Sequence, residues 1–261
     1  MPKFCVSLNF LFGEHDFLDR FAACKEAGFD YVEYMFPYEY EIGTLSELLQ
    51  TNGLKQVLFN LPAGDWQAGE RGIAGHPERV DEFRRGVDHA REVARALNVQ
   101  RINCLVGKGV EGASLQTQRQ VLKDNLTYAA EQLTDDNILL CVEPVNTFDV
   151  PGFLLSRTQE VIELIDEIGA ENLRLQIDVY HMQRMEGRLT ETIRNHLDRI
   201  GHIQIADVPG RHQPGTGEIN YRFLLDQLDD AGYEGFVGLE YFPQPDTLSS
   251  LQWLEEFNLT L

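Results

Sequence analysis

Cysteine is scarce in this 261-residue sequence, and the four that occur, Cys5, Cys24, Cys104 and Cys141, show no paired metal-ligand spacing. That argues against zinc ligands or a disulfide framework. Three of the four fall in predicted strands among apolar neighbours, so they are read as buried reduced thiols suited to a reducing compartment. Basic residues are also few, 22 Lys and Arg against 42 Asp and Glu, a net charge of −20. Such a surface repels polyanions, so neither nucleic acid nor an anionic membrane is an expected partner, although a few local cations could still hold a small anion. No apolar run is long enough to span a bilayer, and no Ser/Gly/Pro-rich linker or charge block marks a boundary. The start, Met1-Pro2-Lys3-Phe4, lacks the cationic and apolar regions of a signal peptide. The expectation is one cytoplasmic domain over residues 1–261; assembly into a homo-oligomer is left open.

What the chain does have is an apolar run, residues 138–142, leading straight into Glu143 and Pro144. Without polar alternation, such a run reads as a strand buried on both faces and stopped by proline. The pattern recurs at 173–178, 202–207 and 235–240, each carrying an oxygen-bearing side chain at or near its end: Asp178, Gln204 and Glu240. These residues follow Glu143 at intervals of 35, 26 and 36. One eighth of the chain is about 33 residues, the length of a strand, a helix and two loops, so the fold class is α/β, a single (β/α)8 TIM barrel. The four side chains should converge at its mouth.

Eight strand–helix units follow in order. Strands are expected at 4–8, 31–34, 55–59, 101–105, 138–142, 173–178, 202–207 and 236–240. Helices are expected at 16–27, 44–51, 77–97, 114–133, 156–168, 188–199, 221–231 and 248–259. The units share a period but no repeated motif, which argues against a solenoid. Glu33, at the end of the second strand, has no partner carboxylate nearby in sequence and is assigned a supporting role. After the third strand, residues 60–76 form a long loop with four glycines, Trp66 and paired charges. It reads as a lid over the mouth or, alternatively, an Ω-loop packed on its own side chains. Lys108, between two glycines just past the fourth strand, is placed to reach a substrate carboxylate or to stay solvated.

Glu143, Asp178, Gln204 and Glu240 make an oxygen-only donor set, which suits a catalytic divalent cation, Mg2+ or Mn2+, rather than zinc or copper. Strand periodicity puts His202, Gln204 and Ala206 on one face and Ile203 and Ile205 on the other. If the isoleucines meet helices, Gln204 faces the lumen and His202 lies one pleat deeper, as a structural histidine.

Several long motifs carry a resemblance: FPY at 36–38, NLPAGDW at 60–66, GERGIA at 69–74, NCLVGK at 103–108, EP at 143–144, DVYHMQRMEG at 178–187 and PGTGEINY at 214–221. Over nearly its whole length the chain resembles the hydroxypyruvate isomerase family, within the xylose-isomerase-like barrels. The resemblance implies Glu143 and Glu240 as a proton-transferring pair, with Glu143, Asp178, Gln204 and Glu240 around a metal position. It departs from the superfamily's sugar epimerases, where a histidine commonly stands in place of Gln204.

The implied chemistry interconverts hydroxypyruvate and tartronate semialdehyde, which differ in whether C2 or C3 carries the carbonyl. Two carboxylates can take a proton from one carbon and return it to the next, and a cation would stabilise the enediolate between them. Arg71, Lys108 and Arg211 are candidate anchors for the substrate carboxylate, with His181 as a hydrogen-bonding neighbour. A relative acting on a four-carbon 2-oxo acid would share the glutamates and differ in its loops. A zinc nuclease barrel would need clustered histidines and a cationic groove, against seven scattered histidines here. A non-catalytic binding barrel would not need carboxylates at both 143 and 240.

Overall fold

The computed structural model describes residues 3–259. Nine strands form one sheet: β1 Lys3–Ser7, β2 Tyr31–Glu33, β3 Lys55–Gln56, β4 Phe59–Asn60, β5 Arg101–Cys104, β6 Leu139–Val142, β7 Leu173–Asp178, β8 Ile200–Ile205 and β9 Phe236–Leu239. Every pairing is parallel, in the order β3-β2-β1-β9-β8-β7-β6-β5-β4. The two ends of that order, β3 and β4, are halves of one segment. Asn60 N donates to Met35 O on the β2 side (2.9 Å), and Leu61 N donates to Asn103 O on the β5 side (2.8 Å), so this segment closes the sheet into a barrel. The strands expected fourth to eighth are therefore β5 to β9.

The helices are α1 Arg20–Glu26, α2 Ile42–Thr51, α3 Val80–Leu97, α4 Leu115–Thr134, α5 Thr158–Ile168, α6 Val179–Met185, α7 Leu189–Asn195, α8 Tyr221–Asp230, α9 Thr247–Ser250 and α10 Gln252–Glu256. In α3 the buried positions Phe83, Val87, Ala90, Ala94 and Leu97 recur at helical spacing, and Asn98 ends the helix at φ 55°. Ser114 caps α4 by accepting from Thr117 N at 3.0 Å. Helix and strand apolar faces meet in one continuous core between the sheet and the outer layer.

Three expectations needed correction. The third strand is split, because it pairs with β2 at its start and with β5 at its end, and the turnover at Val57 and Leu58 buries both with Cys5. The residues after Asp178 form α6, since the Asp178 carboxylate accepts from Tyr180 N (2.8 Å) and starts a helix where none was expected before residue 188. The closing helix is two short pieces, α9 and α10. All four cysteines are buried and free, as expected.

Inside the barrel, inward positions follow the two-residue period: Cys5 on β1, Glu33 on β2, Asn103 on β5, Gln176 and Asp178 on β7, and His202 and Gln204 on β8. This lumen is polar and hydrogen-bonded, unlike the aliphatic layers that usually fill such barrels. Gly238 faces the Glu33 carboxylate, and a Cβ there would lie 2.5 Å from Glu33 Oε1. Its missing side chain is what lets Glu33 reach across.

Candidate active site

A cavity of about 260 Å³ opens at the carboxyl ends of the strands. Glu143 and Glu240 stand one residue past β6 and β9, and Asp178 is the last residue of β7. All three carboxylates are buried. The Arg211 guanidinium bridges two of them, donating through Nη2 to Asp178 Oδ2 (3.0 Å) and to Glu240 Oε2. Its backbone is left-handed, φ 55°, a conformation held by Phe242 N donating to Arg211 O (2.8 Å) and Arg211 N donating to Asp207 O (2.8 Å).

Below the carboxylates runs a continuous relay. Asn103 Nδ2 and Gln176 Nε2 both donate to Glu143 Oε2, at 3.2 and 3.3 Å. Gln176 Nε2 also donates to Gln204 Oε1 (2.7 Å), while Gln204 Nε2 donates to Glu33 Oε1 (2.7 Å) and Glu240 Oε1 (3.3 Å). Glu33 Oε2 is 2.6 Å from His202 Nε2 and accepts from Cys5 Sγ at 3.3 Å. The supporting role expected of Glu33 and the structural one expected of His202 agree with this geometry.

Burial is the first cause that raises the Glu143 carboxyl, to about 8, with the neighbouring Asp178 charge adding and Arg211 opposing. Glu240 is likewise pushed well above the ordinary range, by burial first, against Arg211 and with Asp178 and Glu143 adding. Burial and the neighbouring carboxylates thus make the charged form of both groups costly, so each holds its proton to higher pH than an ordinary glutamate. His181 is driven the other way, to about 4, by burial, and is neutral.

The donor set fits a divalent cation through its carboxylates: Glu143, Asp178 and Glu240 crowd more negative charge than one guanidinium offsets, and a hard cation prefers oxygen. Glu143, Asp178 and His181 also offer ligand atoms within 4.8 Å of one another. Gln204, as placed, turns its NH2 toward Glu33 and Glu240 and spends its oxygen on Gln176, so it would have to turn its amide over to ligate.

Of the four substrate-binding candidates, Arg71, His181 and Arg211 line the cavity. Arg71 lies over the Trp66 ring, 3.8 Å from its centroid, with Nη1 donating to Trp66 O (3.1 Å) and Glu70 O (2.6 Å). Lys108 is exposed instead; its Nζ donates to Gly69 O (2.7 Å), tying down the loop at 60–76. That loop is held elsewhere by the Glu70–Arg79 ion pair, by Asn125 Nδ2 on Ala74 O (2.8 Å) and by Gly75 N on Val106 O (3.1 Å). These ties fasten the loop to the segments around it and hold Trp66 and Arg71 at the cavity. Sequence reasoning passed over Gln176 and Asn103, although each lies on the lumen-facing register of its strand and period two could have found them. It also passed over Asn146 and Asp149, in the loop after Glu143, for which no sequence signal stood out.

Residues 21–257 match the family model described as the xylose isomerase-like TIM barrel. The chain is 51% identical over 257 residues to hydroxypyruvate isomerase of Escherichia coli (strain K12), covering 98% of this chain and 100% of that one. It is 41% identical, over 98% of this chain and 99% of the other, to 2-oxo-tetronate isomerase of Cupriavidus necator. Among solved structures, one titled AP endonuclease, family 2 from Brucella melitensis superposes with a TM-score of 0.95 at 40% identity, covering 98% and 99% of the two chains. The chain therefore belongs to the hydroxypyruvate isomerase family, within the xylose isomerase-like TIM barrels.

Proposed function

We propose that this protein interconverts hydroxypyruvate and tartronate semialdehyde by proton transfer between Glu143 and Glu240. The observation that carries this reading is the pair itself: two buried glutamates, both raised, line one cavity in a chain 51% identical to a hydroxypyruvate isomerase end to end. A carboxylate of raised pKa is a stronger base toward a C–H proton, and a partner carboxyl that burial keeps protonated can supply one. One glutamate takes a proton from C3 of hydroxypyruvate, and the other returns one to C2. The hydroxyl proton on O3 leaves as the one on O2 arrives, so the net change is an isomerisation.

Arg71 is the proposed anchor for the substrate carboxylate. Arg211 is already paired with the Asp178 and Glu240 carboxylates, while Arg71 lines the same cavity and pairs with no carboxylate among the described residues, its Nη1 on the Trp66 and Glu70 carbonyls and its guanidinium over the Trp66 ring. Neutral His181 supplies a hydrogen bond to a substrate oxygen. Glu143, Asp178 and Glu240 would hold a divalent cation, Mg2+ or Mn2+, which when bound supplies electrophilic stabilisation of the enediolate oxygens.

A four-carbon substrate is the second reading. Its support is that 2-oxo-tetronate isomerases are 37–42% identical to this chain. An NMR time course of purified protein with each substrate, with and without Mg2+, decides between them. Turnover of hydroxypyruvate to tartronate semialdehyde is expected; turnover of the four-carbon acid alone would replace this reading. Arg71→Met should raise KM for hydroxypyruvate about tenfold or more with a smaller change in kcat, and an unaltered KM would remove Arg71 as the anchor.

A further inference from the structure

We propose that Asn146 is a positioning residue that locks His181 as the neutral tautomer with its proton on Nε2, so that this ring always presents a donor to the cavity. Asn146 is fully buried in the loop after β6, at no catalytic carboxylate and on no strand. Its amide has one available orientation. Oδ1 accepts two backbone N–H groups of its own loop, from Phe148 (3.1 Å) and Asp149 (2.9 Å). The other end must then be NH2, and it meets Asp149 Oδ2 at 2.9 Å and His181 Nδ1 at 2.6 Å. A turned-over amide would set its oxygen against a carboxylate and its NH2 against two backbone donors, losing three bonds at once.

With an NH2 donor facing it, His181 Nδ1 must offer a lone pair. The proton of a neutral imidazole therefore sits on Nε2. That atom lies 3.5 Å from Asp178 Oδ2 and 3.9 Å from Glu143 Oε1, on the cavity side of the ring. A protonated Nε2 donates a hydrogen bond and cannot ligate a metal. His181 is thereby assigned to substrate, while the cation is left to the carboxylates.

Asp149 completes the lock. Its Oδ2 also accepts from Tyr180 OH (2.9 Å), and its Oδ1 accepts from Arg184 Nη1 (3.0 Å). The Asn146 NH2 is thus held between a fixed carboxylate and the imidazole. A donor held in place before substrate arrives costs no reorganisation in the transition state.

The consequence for catalysis rests on the isomerase reading above, while the tautomer does not, so the two fail separately. In ligand-free wild-type protein with ¹⁵N-labelled histidine, long-range ¹H–¹⁵N correlation should show His181 protonated at Nε2 and bare at Nδ1, its signals assigned by their loss in His181→Gln. A wild-type His181 protonated at Nδ1 overturns the proposal. A scalar coupling across the hydrogen bond from Asn146 Nδ2 to His181 Nδ1 is expected in wild-type protein labelled uniformly with ¹⁵N, and its absence also overturns it, without any variant having to fold. Asn146→Asp replaces the donor by an acceptor and should move the proton to Nδ1, with kcat falling about 10²-fold. Asn146→Ala should give a mixture of tautomers. If both variants keep the wild-type tautomer, Asn146 does not set it.

Discussion

Glu143 and Glu240 owe their character to where they stand. Each is a single acid past the end of a buried strand, drawn into a space shared with the Asp178 side chain. Replacing either by Gln keeps the shape and removes both charge and proton, so kcat should drop at least about 10²-fold while the fold persists; near wild-type turnover of Glu240→Gln would take it out of the mechanism. The same crowding makes stability depend on pH. Between the ordinary glutamate value of 4.5 and about 8, the folded chain keeps a proton at Glu143 that the unfolded chain has lost. Raising pH through that window therefore favours unfolding, and the stability present below it declines. In chelator, the Tm of the wild type should fall across the window, and that of Glu143→Gln should fall less. Parallel curves would mean that the buried carboxyl is not what titrates.

Among the elements, the segment between β4 and α3 has the most to do with the site, because it carries Arg71 and Trp66 to the mouth. Its course depends on a backbone crossing. Gly72 lies at φ 109°, and a Cβ there would sit 1.8 Å from Leu105 O, while one on Gly107 would sit 2.4 Å from Gly72 O. Gly72→Ala thus combines left-handed strain with overpacking against main chain, a cost on the order of 3 kcal/mol, and should also weaken substrate binding by moving Arg71. Gly112, at φ 83° with open space around it, is the control. Gly112→Ala should cost only about 1 kcal/mol. Equal losses of Tm in the two variants would show that the crossing is not a close approach. Such contacts join residues 35 positions apart and leave no local pattern in the sequence.

At the scale of the whole molecule, eight units around a closed sheet bring residues from positions 5 to 240 onto one lumen. A carboxyl group that has taken a carbon-bound proton in an open cavity can exchange it with water. Turnover in D2O should therefore place deuterium at carbon. Product without it would point to a hydride shift or a shielded proton, and exchange that survives in the Glu143→Gln, Glu240→Gln double variant would show that neither is the base.

Much of this molecule was legible in its sequence. Buried parallel strands write themselves as unbroken apolar runs, and a repeat near one eighth of the length marks a closed barrel, so the strand-end acids and the face of Gln204 could be read directly. The splitting of the third strand was not legible, because its cause is a change of pairing partner from β2 to β5. Nor was the helix after Asp178, whose apolar residues read equally well as strand until a cap decides. Lys108 and Arg71 are both loop cations beside glycine, and only the tertiary structure leaves one exposed and sets the other in the cavity wall. Periodicity records which way a side chain leaves its own strand or helix; which partner it then meets is set by packing between segments far apart in the chain, and a single sequence carries no local mark of that.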